Sequence, residues 1–384
     1  MKKIVGILTA AAIATSVFAA DVSAATKIKG NLFGYDEAKK MTLLNENNDS
    51  HDYANPNMTF SISDDKAGAT VKLTTDGGNT AVKMTTQTIW FKPLDALKIT
   101  AGNFDIALNK EQIDWTESVT GLGGNGFLAS VNVEGFGLDV GFTANGADWL
   151  SKADEDNPTT ANVDESKAVI KQFFVKAGYS ADFGTIGAFA EFNRHKDGRK
   201  TYADHDLLFG WDAFKFINDQ RSDLGIYKLK DGEIGDILFG AGYRNNFNGI
   251  DVFCNVNGYM ADKFEWIRPE VYVSGSADAF GYSLFVAPVI FADSDLDADP
   301  MCEVVAKVTY AMDGITPYAY FKSFDVIGKN FDDDGSKFIS TIKLGATGSV
   351  GAMGWNTWVQ IDTGKGAEFD KTAFSVPFEL TMSF

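Results

Sequence analysis

His51, His195 and His205 are the side chains best placed to move a proton near neutral pH. His205 stands between Asp204 and Asp206 in YADHDLL, an arrangement that could polarise an imidazole. A histidine beside an aspartate in a long polar segment is nevertheless ordinary solvated surface. No GxSxG, HExxH or phosphate-loop pattern accompanies it. Asp293, Asp295 and Asp297 alternate as the ligands of a calcium loop do. The sixth position of that loop is Ala298 where glycine is needed, and the twelfth is Val304 where glutamate is needed. Cys254 and Cys302 match neither a zinc spacing nor a disulfide framework, although a bridge between these two is left open. These residues imply no enzyme, no cofactor and no metal centre.

Lysines carry the more regular signal. Lys29, Lys83, Lys98, Lys176, Lys307 and Lys343 each lie in a stretch where apolar and polar residues alternate. In IGAFAEFNR, Ile186, Ala188, Ala190 and Phe192 share one face, with Glu191 and Asn193 on the other. In VKMTTQTIW, strict alternation groups Val82, Met84, Thr86, Thr88 and Trp90. In IKGNLFGY it groups Ile28, Gly30, Leu32 and Gly34 against Lys29, Asn31, Phe33 and Tyr35. Period-two alternation is the signature of a two-faced β-strand, and it recurs from end to end. WIRPEVYVS loses its phase around Arg268 and Pro269.

The connectors alternate as well. Short ones rich in Gly and Asx, such as VEGFG from Val133 and NFNGI from Asn246, suit hairpins whose central residues need positive φ. Between them lie long polar segments, including 108–125, 146–167, 195–233 and 325–336. The expected strands begin with 26–36 and end with 372–384. They number about 18, with 16 as the second count, and an even number is what single-chain bacterial barrels prefer.

Composition agrees. The 384 residues include 38 Gly, 31 Phe and only 8 Pro, whereas glycine ordinarily makes up about 7% of a chain. The net charge of −18 argues against nucleic acid as a partner. Lys2 and Lys3 precede an apolar run from Ile4 to Phe18 and then small residues, the order of a secretory signal peptide. Cleavage could follow Ala19, with Val17 at minus three. Ala24 or Ala25 is favoured because a strand begins at Thr26, giving a signal over 1–24 and a barrel over 25–384. No later stretch reaches the ~20 apolar residues of a spanning helix.

A soluble sandwich also alternates. Export, unbroken length, connector parity and a chain ending on an alternating strand favour a barrel in lipid, where only a closed sheet leaves no edge unpaired. The fold class expected is therefore all-β, a closed antiparallel up-and-down transmembrane β-barrel with short periplasmic turns and long extracellular loops.

The final FSVPFELTMSF resembles the closing strand of Gram-negative outer-membrane β-barrel proteins. TIWFKPLDALKITAGNF, from Thr88 to Phe104, resembles a hairpin of spirochaete, treponeme-type outer-membrane proteins. The first resemblance implies that Phe378, Leu380, Met382 and Phe384, with Val376, form the signal for the barrel-assembly machinery. The second implies that Trp90 and Phe91 lie at the membrane interface. Pro377 inside the last strand must be tolerated without a donor.

A porin-like function is expected: passive diffusion of small hydrophilic solutes or ions through a water-filled pore in the bacterial outer membrane. The six lysines are candidates to line it. The segment 195–233 is long for an idle connector. Its Phe209, Trp211, Phe214, Lys215 and Phe216 are candidates for a loop that folds inward and narrows the lumen. The alternative is a surface barrel with a structural or adhesin role and no open pore. A homotrimer is left open.

Overall fold

The computed structural model describes residues 19–36, 40–45, 57–75, 82–109, 120–144, 170–194, 234–260, 264–292, 300–323, 326, 340–363 and 373–383. Nineteen β-strands and no helix occur among the described residues. The first four are β1 (Ala19–Asp36), β2 (Lys40–Asn45), β3 (Asn57–Ser63) and β4 (Ala67–Thr75). Next come β5 (Val82–Leu94), β6 (Leu97–Asn109), β7 (Thr120–Val133), β8 (Phe136–Ala144) and β9 (Ile170–Ala181). The middle of the chain forms β10 (Gly184–Arg194), β11 (Ile234–Phe247), β12 (Ile250–Met260), β13 (Phe264–Ala277) and β14 (Phe280–Phe291). The last five are β15 (Met301–Tyr310), β16 (Ile315–Ser323), β17 (Ser340–Val350), β18 (Met353–Thr363) and β19 (Ala373–Ser383).

Each strand from β3 to β19 pairs antiparallel with the next. β19 pairs with β1, and β1 pairs with β3, so the ladder returns to its start. β2 lies beside the same edge of β1 as β3 does, against residues 31–36 rather than 19–25. The ring is thus β1 with β3 through β19, eighteen strands. Closure answers the physics of lipid, which offers no hydrogen bond to a strand edge.

One rim carries tight turns. Glu134–Gly135 and Asn248–Gly249 have φ of 44°, 84°, 53° and 90°, the two positive values that a type I′ hairpin requires. Aromatics gather there on the outside: Phe136, Phe183, Phe247, Phe280 and Tyr310 are all exposed, as in an interfacial girdle. Ser383 pairs with Ala25 and Met382 with Met353 beside the tight turn at Gly351, so the end of β19 belongs to this rim.

Glycine does structural work inside the wall. A Cβ on Gly141 would overlap the ring of Phe174, which is fully buried, and one on Gly68 would sit 2.5 Å from the Trp90 indole. Large rings therefore lie flat over neighbouring backbone, which accounts for part of the glycine excess.

Three local expectations are corrected. Leu73 pairs with Met84 directly after Lys72 pairs with Thr86, so a bulge at Thr85 separates the faces of Met84 and Trp90. A second bulge between Asn31 and Phe33 moves Phe33 and Tyr35 onto the outward face with Ile28. That bulge lies opposite Pro377, whose missing N–H faces β18, where the ladder skips from Phe378 to Ser375. Thr357 Oγ1 donates to the Pro377 carbonyl at 3.1 Å. Third, β13 keeps its phase through Pro269: Val271 is exposed, whereas Arg268, Glu270 and Tyr272 are buried on the opposite face.

Candidate functional site: the inward face of the barrel

Alternation and register assign every strand residue to one of two faces. Phe239, Val256, Val271, Leu284, Val308 and Leu344 are exposed and share the outward face by register. Outward rings pair across strands, as Phe127 does with Phe142 at 5.6 Å between centroids. The inward face carries the polar and charged groups.

All six lysines named from the sequence occupy inward register positions. Lys29 stands opposite Glu379, Lys83 opposite Thr74, and Lys176 opposite Asp139. The Lys98 ammonium is 4.7 Å from the ring centroid of Trp90, so Trp90 faces inward and not toward the membrane interface. The Lys307 ammonium is 5.7 Å from the Tyr318 ring, and that of Lys343 is 5.3 Å from Tyr320 and 5.2 Å from Trp358. In register Tyr320 stands between Lys307 and Lys343. Tyr318 donates its hydroxyl to Asn356 at 3.0 Å, and the Trp358 indole donates to Gln360 at 2.9 Å. Cations over ring faces beside amide and hydroxyl groups form a wall able to contact polar solutes.

A second inward cluster escaped the sequence reasoning. Arg268 reaches Glu270 at 3.0 Å and Glu303 at 2.9 Å, and the three side chains are at most 2% exposed. Asn255 donates to Glu270 at 3.2 Å and to Asn257 at 2.7 Å. Glu303 lies two strands from Arg268, and Ala287, its register partner on β14, is small and fully buried. A short side chain there lets the guanidinium cross β14. The Arg268 guanidinium carbon is also 5.7 Å from the Phe285 ring. Phe285 packs with Tyr272, Ala287, Val305 and Tyr320. Buried charges survive when paired and hydrogen-bonded, and this group is held that way. The available signal was parity: Arg268 and Glu270 are two apart, and Glu303, Val305 and Lys307 share one face.

Phe209, Trp211, Phe214, Lys215, Phe216, Phe384, the three histidines and Asp293, Asp295 and Asp297 lie outside the described residues. Phe378, Leu380 and Met382 occupy outward register positions on β19. Cys254 and Cys302 are not joined by a disulfide. Among the described residues no three His, Cys, Asp or Glu side chains converge as metal ligands.

Two charged groups in the tight turns interact across hairpins. Lys66, after β3, forms an ion pair with Asp95, after β5. Its hydrogen bond, with the attraction between the charges, lowers the Asp95 carboxyl pKa and raises that of Lys66. The Asp64 carboxylate accepts the backbone N–H groups of Lys66 and Ala67, each at 2.7 Å, which lowers its pKa also.

No protein-family model matches the sequence, and no curated protein matches it. Solved structures match over nearly the whole chain. The anion-selective porin from Comamonas acidovorans aligns with a TM-score of 0.50 at 10% identity, covering 95% of this chain and 100% of the other. OpdO from Pseudomonas aeruginosa aligns at 0.52 and 10% identity, covering 95% and 97%. OccD3 (OpdP) from the same organism aligns at 0.51 and 9% identity, covering 95% and 91%. At such identities the likeness is one of fold.

Proposed function

We propose that this chain is a bacterial outer-membrane channel through which small hydrophilic solutes or ions diffuse passively. The observation that carries this reading is the two-faced closed wall: apolar side chains exposed around the outside, and lysines, amides and an arginine–glutamate cluster on the inside. An apolar exterior fits hydrocarbon and a polar interior fits water. The porin-like architecture of the matching structures supports the same reading. No catalytic set competes with it among the described residues. The six inward lysines are the pore-lining groups of this proposal. Phe209, Trp211, Phe214, Lys215 and Phe216 belong to a segment that folds inward and narrows the lumen. The outward residues of the final strand, with Phe384, are the groups that the assembly machinery recognises. A homotrimer is compatible with the same wall.

Planar-bilayer recording of the detergent-purified, heat-modifiable barrel tests the proposal. Discrete conductance steps are expected. A folded barrel that remains silent would point instead to a protein that displays loops without a pore. Deleting 203–218 is expected to raise the single-channel conductance, and an unchanged step size would remove that segment from the constriction.

A further inference from the structure

The first strand of the ring is built from two halves with different partners. Thr26 to Tyr35 face β19, from Met382 to Phe374. Ala19 to Ala25 face β3, from Ser63 to Asn57, in an unbroken register. The second half is therefore the only partner of β3 on that side among the described residues. Without it β3 would present a row of unpaired N–H and C=O groups. Hydrocarbon offers such groups no hydrogen-bond partner in place of the missing strand.

This bears on where the secretory leader is removed. Sequence chemistry allows three positions, because Ala19, Ala24 and Ala25 are all small and are preceded at minus three by Val17, Val22 and Ser23. A cut after Ala25 would take away all seven register partners of β3, and a cut after Ala24 would leave Ala25 opposite Asn57 alone. Only a cut after Ala19 leaves the seam in place. The lost position, Ala19 opposite Ser63, is the last of that ladder.

Residues 20–25 also continue the pattern of the wall. Ala20, Val22 and Ala24 hold register positions opposite Ile62, Phe60 and Met58. Asp21 and Ser23 hold those opposite Ser61 and Thr59. A discarded linker would not need apolar and polar residues in phase with its neighbour.

From these observations we infer that the leader is cleaved between Ala19 and Ala20. The mature chain then begins Ala20–Asp21, and residues 20–25 are the permanent inner partner of β3. The inference concerns closure of the wall and does not depend on what passes through it.

Intact mass and amino-terminal sequencing of the protein extracted from outer membranes provide the test. A mature chain starting at Ala20 is expected. A start at Ala25 or Thr26, or an uncleaved chain, would overturn the inference. A second arm deletes residues 20–25 while keeping the cleavage junction after Ala19. The heat-modifiable, assembled fraction is expected to fall at least several-fold, and undiminished assembly with an unchanged unfolding midpoint would also overturn it. Bilayer conductance is not a readout of either arm, so a silent but correctly processed barrel would count against the channel alone.

Discussion

Arg268 is the residue on which the inner wall most depends. It sits between two carboxylates from different strands, and all three charges are shielded from water. Removing one partner of such a set leaves a buried charge uncompensated, which costs about 3–5 kcal/mol. Arg268→Met is therefore expected to lower the urea midpoint of the barrel in detergent clearly. Adding Glu270→Gln and Glu303→Gln to the same chain should recover part of the loss, because nothing charged is then stranded. If the triple variant is no more stable than the single one, packing and not charge explains the effect. Lys66 and Asp95 act at the same scale but in water. The Asp95 pKa is lowered in the folded protein, so the pair stabilises above the ordinary carboxylate range, and that contribution fades as pH falls through the folded value. The Lys66 pKa is raised, so loss on the alkaline side begins only above the ordinary lysine range. Comparing wild type with Asp95→Asn should show a small difference at pH 7 that vanishes in acid and shrinks with salt, since surface charges are screened over about 10 Å at 0.1 M. A difference that persists unchanged at pH 3 would rule out the pair as its source.

Among elements, β19 is the one whose delivery decides closure, because it is paired on one side with β18 and on the other with β1. Its outward row ends at Met382 in the described ladder, with Phe384 two residues further. Deleting Phe384 is expected to reduce the assembled fraction in outer membranes strongly. Those barrels that do form should keep their conductance, because the role proposed for Phe384 is in assembly and not in the pore. Assembly unchanged by the deletion would exclude Phe384 from the recognition signal. Such strands were legible in the sequence because period-two alternation states both the conformation and the face. The long and short connectors then stated the order around the ring. The misassigned faces have a common physical origin: bulges change parity without changing composition. Phe33 and Trp90 each fell on the wrong face for that reason. The strand Lys40–Asn45 was missed because its six residues are too few for alternation to be convincing. The register of Ala19–Ala25 was hidden by its resemblance to the tail of a leader. The distant partner of Arg268 was likewise unreadable, since Glu303 comes from a strand 35 residues away.

At the scale of the whole molecule, a large net negative charge coexists with a set of inward cations. The chain carries 52 acidic against 34 basic side chains, yet Lys307 and Lys343 face inward on either side of Tyr320. Strands two places apart are separated by about 10 Å, so the two ammonium groups act on the same stretch of lumen. Their rings do not neutralise them, because a ring quadrupole attracts a cation without altering its charge. A unit charge about 10 Å from an ion in water is worth about 0.4 kcal/mol, roughly a factor of two in local ion concentration. Each lysine raises local anions and lowers local cations by that factor. Removing both should therefore reduce the anion-to-cation permeability ratio by roughly sixteenfold at low salt, whatever the ratio is in the unaltered protein. The measurement is the zero-current potential across a bilayer bathed in unequal KCl. With Lys307→Gln and Lys343→Gln it should move toward the potassium equilibrium potential, while the step conductance in concentrated salt changes little. Lys66→Gln, which removes a charge of the same sign from an exposed turn, provides the comparison and should shift the potential far less. Equal shifts from the two variants would mean that selectivity follows total charge, and the inward wall would then lose its special role.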